Sequence, residues 1–174
     1  YYGSDSTIAP RDIAAEAQLW MEEIALEQAT TERPVSVIRA SNVQGVPITG
    51  PPGNGLLHKW ASEAPIGWVN VPGDGSDFKD FVHVQDLVEC IMRVMADPPP
   101  TRESIAIGSG KGIQLRDLAA IYNQMTGCEA EYGQNQDQEV FGIVDASEVE
   151  MRLGFRPTVS LEEMIRESFE ASGH

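Results

Sequence analysis

The sequence predicts an α/β fold: part of a parallel sheet, followed by short strands and helices. Two observations point there. At the front, a segment with helical periodicity runs through a short loop into a β-rich stretch, which is half of a β-α-β unit. Beyond it, short apolar runs alternate with helical segments, and the strands are too few for a complete doubly wound sheet.

The elements follow in order. Asp12 to about Ala29 reads as a helix, with Pro10 and Asp12 as start signals. Ala17, Trp20, Met21, Ile24 and Gln28 share one face at helical spacing, and that face is expected to pack inward. Val35 to Ile38 is a short strand of the buried kind. Gly45 to Gly55 holds four glycines and three prolines and is predicted as a loop. Leu56 to Ala64 is a short helix stopped by Pro65, and Val69 to Val71 is a short extended piece. Gly73-Asp74-Gly75-Ser76 is a turn that leads into a strand over Phe81 to Val84. Asp86 with Glu89 has the form of a capping box. It opens a helix with Leu87, Cys90, Ile91, Val94 and Met95 inward, stopped by Pro98 to Pro100. Ile105 to Ile107 is a further strand. Gln114 to about Thr126 is a helix with Leu115, Leu118, Tyr122 and Met125 inward and Gly127 as its C-cap. Gln134 to Gln138 is a polar loop. Ser160 with Glu163 is a second capping box, opening a last amphipathic helix through about Phe169.

Charge narrows the function classes. The formal net charge is −15, from 27 acidic and 12 basic residues. A nucleic-acid binder needs Lys and Arg to neutralise phosphates, and an anionic membrane surface would be repelled. The acidity is spread along the chain and reads as a soluble, self-repelling surface. No apolar run is long enough to span a bilayer, and no secretory signal is visible. Cys90 and Cys128 lie far apart without ligand spacing, so they are expected as buried, reduced thiols in a cytoplasmic protein, with no zinc site. The chain opens at Tyr1 rather than Met, so an upstream segment is expected.

Four stretches in order carry a resemblance. Arg39-Ala40-Ser41-Asn42-Val43-Gln44-Gly45 is similar to R-x-x-N-V-Y-G, with Gln in place of Tyr. Gly73-Asp74-Gly75-Ser76 followed by Lys79-Asp80-Phe81-Val82-His83-Val84-Gln85-Asp86 resembles G-D-G-S with R-D-F-V-H-V-D-D. Ile107-Gly108-Ser109-Gly110-Lys111-Gly112 resembles N-I-G-S-G-K-G. Asp145-Ala146-Ser147, Leu153-Gly154-Phe155-Arg156-Pro157 and Ser160-Leu161-Glu162-Glu163 resemble a closing D-x-S, L-G-W-x-P and S-L-E-E. Tyr2-Gly3 is similar to the Y-G after a fifth strand. Together these resemble the carboxyl-terminal half of an extended short-chain dehydrogenase/reductase (SDR) of the nucleotide-sugar epimerase/dehydratase type.

The resemblance implies a partial Rossmann-like fold. Residues 1–45 would be a remnant of the dinucleotide-binding domain, and residues 46–174 a substrate-binding domain interleaved with the last sheet strands. It places Ala40 and Ser41 near the nicotinamide of NAD or NADP. Asn42 and Lys79 fall at the substrate diphosphate, where Lys79 keeps the charge of the family's Arg and loses its fork. Plainer readings stand beside these: Asn42 as a turn cap, Lys79 as a solvated lysine. His83 is expected to be a packed histidine, and His58 and His174 have no partner motif.

The family's chemistry uses a Tyr-x-x-x-Lys pair on the helix before R-x-x-N, the Tyr exchanging a proton and the Lys lowering its pKa. That helix here has neither. Aligning the family's downstream Glu with Glu22 puts Ala14 and Gln18 at the two positions, and aligning it with Glu23 puts Ala15 and Leu19 there. The Gly-rich fingerprint belongs to an upstream strand and helix. Where a second diphosphate Arg is expected, Gln134-Asn135-Gln136-Asp137 stands. Two readings follow. One is the substrate-binding half of an NAD(P)-dependent nucleotide-sugar enzyme, with a second polypeptide completing the sheet. The other is an inactive SDR-like subunit, a pseudoenzyme in a heterodimer with a catalytic partner. An unrelated acidic interaction domain is disfavoured by the four ordered motifs.

Overall fold

A computed structural model describes residues 3, 9–10, 12–46, 55–133 and 142–173 of the chain. Tyr2, the polar stretch Gln134 to Gln138, His174 and most of the Gly45–Gly55 loop lie outside the described residues.

Helix α1 (Ile13–Glu27) starts where Asp12 accepts a hydrogen bond from the Ala15 N–H at 2.7 Å. Strand β1 (Val35–Ala40) pairs in parallel with β5 (Arg102–Ile107), Val35 opposite Arg102 and Ala40 opposite Ile107. Alternation gives β1 two faces. Arg39 points to α1 and forms an ion pair with Glu22, while Ile38 and Ala40 point to the other side. There they meet Val82, Cys90, Ile105 and Ile107 beneath helix α3 (Val84–Ala96). Helix α5 (Ala146–Leu153) closes this layer through Val149.

The chain bends at Ser41 and continues as β2 (Asn42–Gln44), which pairs with a different strand, β4 (Phe78–His83), again in parallel. β6 (Gly112–Gln114) lines the other side of β4, antiparallel, giving the order β2-β4-β6. A separate parallel pair joins β3 (Trp68–Val71) to β7 (Glu129–Tyr132). Around it stand α2 (Leu56–Glu63), a single 3-10 turn at Ala64–Ile66, α4 (Leu115–Thr126) and α6 (Leu161–Ala171). Their shared core is Leu57, Trp60, Phe81, Leu118, Tyr122 and Ile165. Trp60 meets Tyr122 edge-to-face at 5.3 Å, and its ring N–H donates to the Asn70 carbonyl at 2.8 Å.

Four expectations are corrected. Asp86 is not an N-cap. The helix begins three residues earlier, with His83 as N-cap accepting from the Gln85 N–H. Asp86 is buried in the first turn and accepts from the N–H groups of Thr158 and Val159 at 3.0 and 3.1 Å. A carboxylate that finds long-range donors has no need of its own helix end. On α1 the predicted inward face is outward: Trp20, Met21 and Ile24 are about 60% exposed. Ala15, Leu19, Glu22 and Leu26, on the opposite face, are half-buried against β1. The α3 face turns likewise, with Cys90 and Val94 buried and Ile91 and Met95 exposed, and Met125 of α4 is also exposed.

Candidate functional site

Of the four residues singled out by motif, Ala40, Ser41 and Asn42 lie at the fork at the carboxyl end of β1, and Lys79 lies on the strand β4 that pairs with β2. Between Ala40 and Asn42 the chain changes neighbour from β5 to β4. The crevice outside the carboxyl ends of parallel strands, where neighbours part, is the usual ligand position in open α/β sheets. Ser41 sits at the bend. Its N–H donates to the Ile107 carbonyl at 2.8 Å, and its hydroxyl is buried with no hydrogen-bond partner among the described residues. A buried hydroxyl without a partner is costly unless something supplies one.

Asn42 begins β2 opposite Phe81, and its amide donates to the Asp80 carbonyl at 2.9 Å. Its donor therefore ties β2 to β4, where the plainer expectation was a turn cap. Lys79 lies two residues from Phe81 on β4, opposite Ile113 of β6. It is only 8% exposed, so a freely solvated lysine is ruled out. Lys79 and Phe81 share the face of β4 turned toward the Trp60–Tyr122 core, and Asp80 and Val82 share the other.

The residue that sequence reading passed over is Asp80. It is fully buried, and its carboxylate holds the loop that leaves β5. Oδ1 accepts from the Ser109 N–H and hydroxyl at 2.8 and 2.6 Å, and Oδ2 from the N–H groups of Gly110 and Val144 at 3.2 and 3.0 Å. Gly108 has to be glycine here, because a Cβ would lie 2.6 Å from Asp80 Oδ2 and 2.8 Å from Val144. The signal was present: a carboxylate inside an apolar strand must find donors.

His83 ends β4, buried, with Nε2 2.8 Å from Glu167 and Nδ1 accepting the Gln85 N–H. Both ring nitrogens are committed, as expected of a packed histidine. His58 is also buried, its Nε2 has no partner among the described residues, and burial pushes its pKa down. Burial and the nearby Glu103 push the Cys90 thiol up to about 11, which leaves it a poor nucleophile.

The helix that would carry a Tyr-x-x-x-Lys pair is α1. Of the two candidate glutamates, Glu22 faces β1 and pairs with Arg39, its carboxylate accepting from Nε at 3.1 Å, whereas Glu23 is exposed. That alignment puts Ala14 and Gln18 at the pair's positions. Neither can exchange a proton with a hydroxyl as Tyr does. Helix α1 has no Lys or Arg, and beside Ala40 the Ser41 hydroxyl is buried without a partner among the described residues. Among the described residues no group of His, Cys, Asp and Glu could hold a metal, and no helix is long and apolar enough to cross a membrane.

Comparison with known proteins agrees with this geometry. GDP-L-fucose synthase 1 of Arabidopsis thaliana is 30% identical over 105 residues, which is 59% of this chain and 32% of that enzyme. The dTDP-L-rhamnose 4-epimerase of Burkholderia thailandensis is 29% identical over 150 residues, 79% of this chain and 39% of that enzyme. The matches take up little more than a third of those relatives at most. Among solved structures, MoeE5 in complex with UDP-glucuronic acid and NAD superposes with a TM-score of 0.82 at 22% identity, over 95% of this chain and 57% of that one. The dTDP-glucose 4,6-dehydratase of Bacillus anthracis in complex with NAD gives 0.81 at 21%, over 97% of this chain and 54% of that one. These likenesses show the Rossmann-like SDR fold. Residues 3–108 match the NAD dependent epimerase/dehydratase family, and with more than half of its length in that match the chain belongs to that family.

Proposed function

We propose that the chain is the carboxyl-terminal, substrate-binding half of an NAD(P)-dependent nucleotide-sugar epimerase/dehydratase-like protein, completed by an amino-terminal half. The observation that carries the reading is the fork at Ser41. Ala40 and Ser41 stand at the carboxyl end of β1, Asn42 opens β2 beside β4, the strand that carries Lys79, and β1 has β5 as its one sheet neighbour among the described residues. A parallel strand is normally paired at both edges and covered on both faces. In this reading residues 1–45 belong to the dinucleotide domain and residues 46–174 bind substrate. The second polypeptide brings the Gly-rich fingerprint, NAD or NADP lies along Ala40 and Ser41, and the assembly is cytoplasmic. The diphosphate of a nucleotide sugar meets Asn42 and Lys79, with binding weak because one cation stands where the family has two arginines.

Calorimetric titration of the chain with UDP-, GDP- and dTDP-sugars tests this. Weak saturable binding that Lys79→Ala removes is expected, and tight binding that survives Lys79→Ala would sink the reading. A second reading, an inactive SDR-like subunit that scaffolds a catalytic partner, is favoured by Ala14 and Gln18. It predicts the same titration but no turnover in any complex whose only Tyr-x-x-x-Lys position is the one on α1.

A further inference from the structure

We propose that the cavity between the loop after β5 and the start of α6 is a second binding site, for a small molecule with an apolar body and a single negative charge. None of Ala40, Ser41, Asn42 and Lys79 lines it, so the inference stands apart from the assignment at the fork.

The cavity measures about 540 Å3, inside the range of roughly 300–1,000 Å3 that small-molecule clefts occupy. Its floor is apolar: Phe81 of β4, Ile113 of β6, Ile121 of α4, and Leu161 and Met164 of α6. These side chains are the margin of the core around Trp60 and Tyr122. Both walls are fixed from beneath by buried carboxylates. On one side Asp80 accepts from the Ser109 N–H and hydroxyl, and that hydroxyl in turn accepts from the Lys111 N–H at 3.1 Å. On the other, Asp86 accepts from the N–H groups of Thr158 and Val159. Tied in this way the walls are held apart, and the space is preformed, as ligand clefts usually are.

The rim selects the charge of the guest. Lys111 and Arg156 both line the cavity and are exposed. Lys111 has no ion pair among the described residues. Arg156 gives one nitrogen to Glu150, and its fork has further donors to offer. An anion between them gains charge-assisted hydrogen bonds, which a neutral or cationic guest does not. Glu162 shares the rim, and Glu150 already holds one side of Arg156. The rim therefore accommodates one negative charge and repels a second. A carboxylate on an apolar ring or chain meets both conditions, the body on the floor and the head between the cations.

The test uses the whole chain and three naphthalenes of one shape: the carboxylate, the carboxamide and the phosphate ester. Calorimetry is expected to show one carboxylate bound per chain, about tenfold tighter than the carboxamide, with the phosphate ester no tighter than the carboxylate. Amide NMR shifts should move at Ser109, Lys111, Ile113 and Leu161. Lys111→Ala with Arg156→Gln changes two exposed side chains, whose surface ion pairing contributes little to stability. It should bring the carboxylate down to the affinity of the carboxamide at an unchanged melting temperature. Saturating UDP-glucose should leave the bound carboxylate in place. Equal binding of carboxylate and carboxamide, or no binding of either, would overturn the proposal. So would displacement by UDP-glucose, or shifts confined to other parts of the chain, since the probe would then occupy a different site.

Discussion

Replacing Asp80 by asparagine keeps the shape of the side chain and removes its charge and one of its two acceptor atoms. In the native fold each carboxylate oxygen receives two donors, from Ser109 on one side and from Gly110 and Val144 on the other. An asparagine presents its NH2 to one of these pairs, donor against donor, in a site with no access to water. Each hydrogen bond to a charged group contributes about 1.5–3 kcal/mol net. Losing two of the four costs about 3–6 kcal/mol, a large share of the roughly 5–15 kcal/mol that holds a domain folded. For a chain of this size each kcal/mol moves the melting temperature by about 2–4 °C, so a drop on the order of 10 °C is expected. Thermal melts followed by circular dichroism measure it, and hydrogen exchange should speed up at the Ser109, Gly110 and Val144 amides. A drop under about 2 °C with unchanged exchange would show that the loop is held by something else.

Further outcomes follow from other buried groups. The Tyr122 hydroxyl is buried without a partner among the described residues, so Tyr122→Phe is expected to leave stability unchanged or raise it by about 1 kcal/mol in urea titration; a clear loss would reveal a missed partner. Burial holds the His58 pKa below 6.5, so its contribution is present above that pH, where the unfolded imidazole is also neutral, and is lost as pH falls through the lower folded value. The urea midpoint should therefore drop between about pH 7.5 and 5.5, and drop less in His58→Leu. The Cys90 thiol, raised to about 11 and fully buried, should resist alkylation at about pH 8 until the chain is unfolded. On the reading proposed above, the isolated chain supplied with NAD or NADP should show no stoichiometric nicotinamide binding by fluorescence, because the Gly-rich fingerprint would lie on the amino-terminal half.

Local signals in the sequence located local features well. Ser160 is the N-cap of α6, its hydroxyl accepting from the Glu163 N–H at 3.1 Å, and Gly127 ends α4 with a left-handed φ of 77°. Gly, Ser and Asp announce such ends because their effect is confined to one turn. The motifs also pointed to Ala40, Ser41 and Asn42, where the chain passes from β1 to β2, and to Lys79 on the adjoining strand β4. Features decided across the chain were not legible. Asp86 looks like a cap from its neighbours, but its donors lie 72 and 73 residues away. Helix α1 has apolar residues on both sides, and periodicity cannot say which side meets the sheet. Strand β7, Glu-Ala-Glu-Tyr, has little strand propensity and exists because β3 offers an edge. The fork at Ser41 is a change of neighbour, which no local pattern records.

The pairing of β1 with β5 has a consequence for synthesis. Val35 meets Arg102, 67 residues further along the chain. On a ribosome adding about 5–20 residues per second, β1 waits roughly 3–13 s for its neighbour to be made. During that interval α1 and β1 stand outside the tunnel with their apolar faces uncovered. If an amino-terminal half has already emerged or is present in trans, the nascent strand has a sheet to join at once. Without it, this is the window in which a chaperone, or aggregation, competes for the chain.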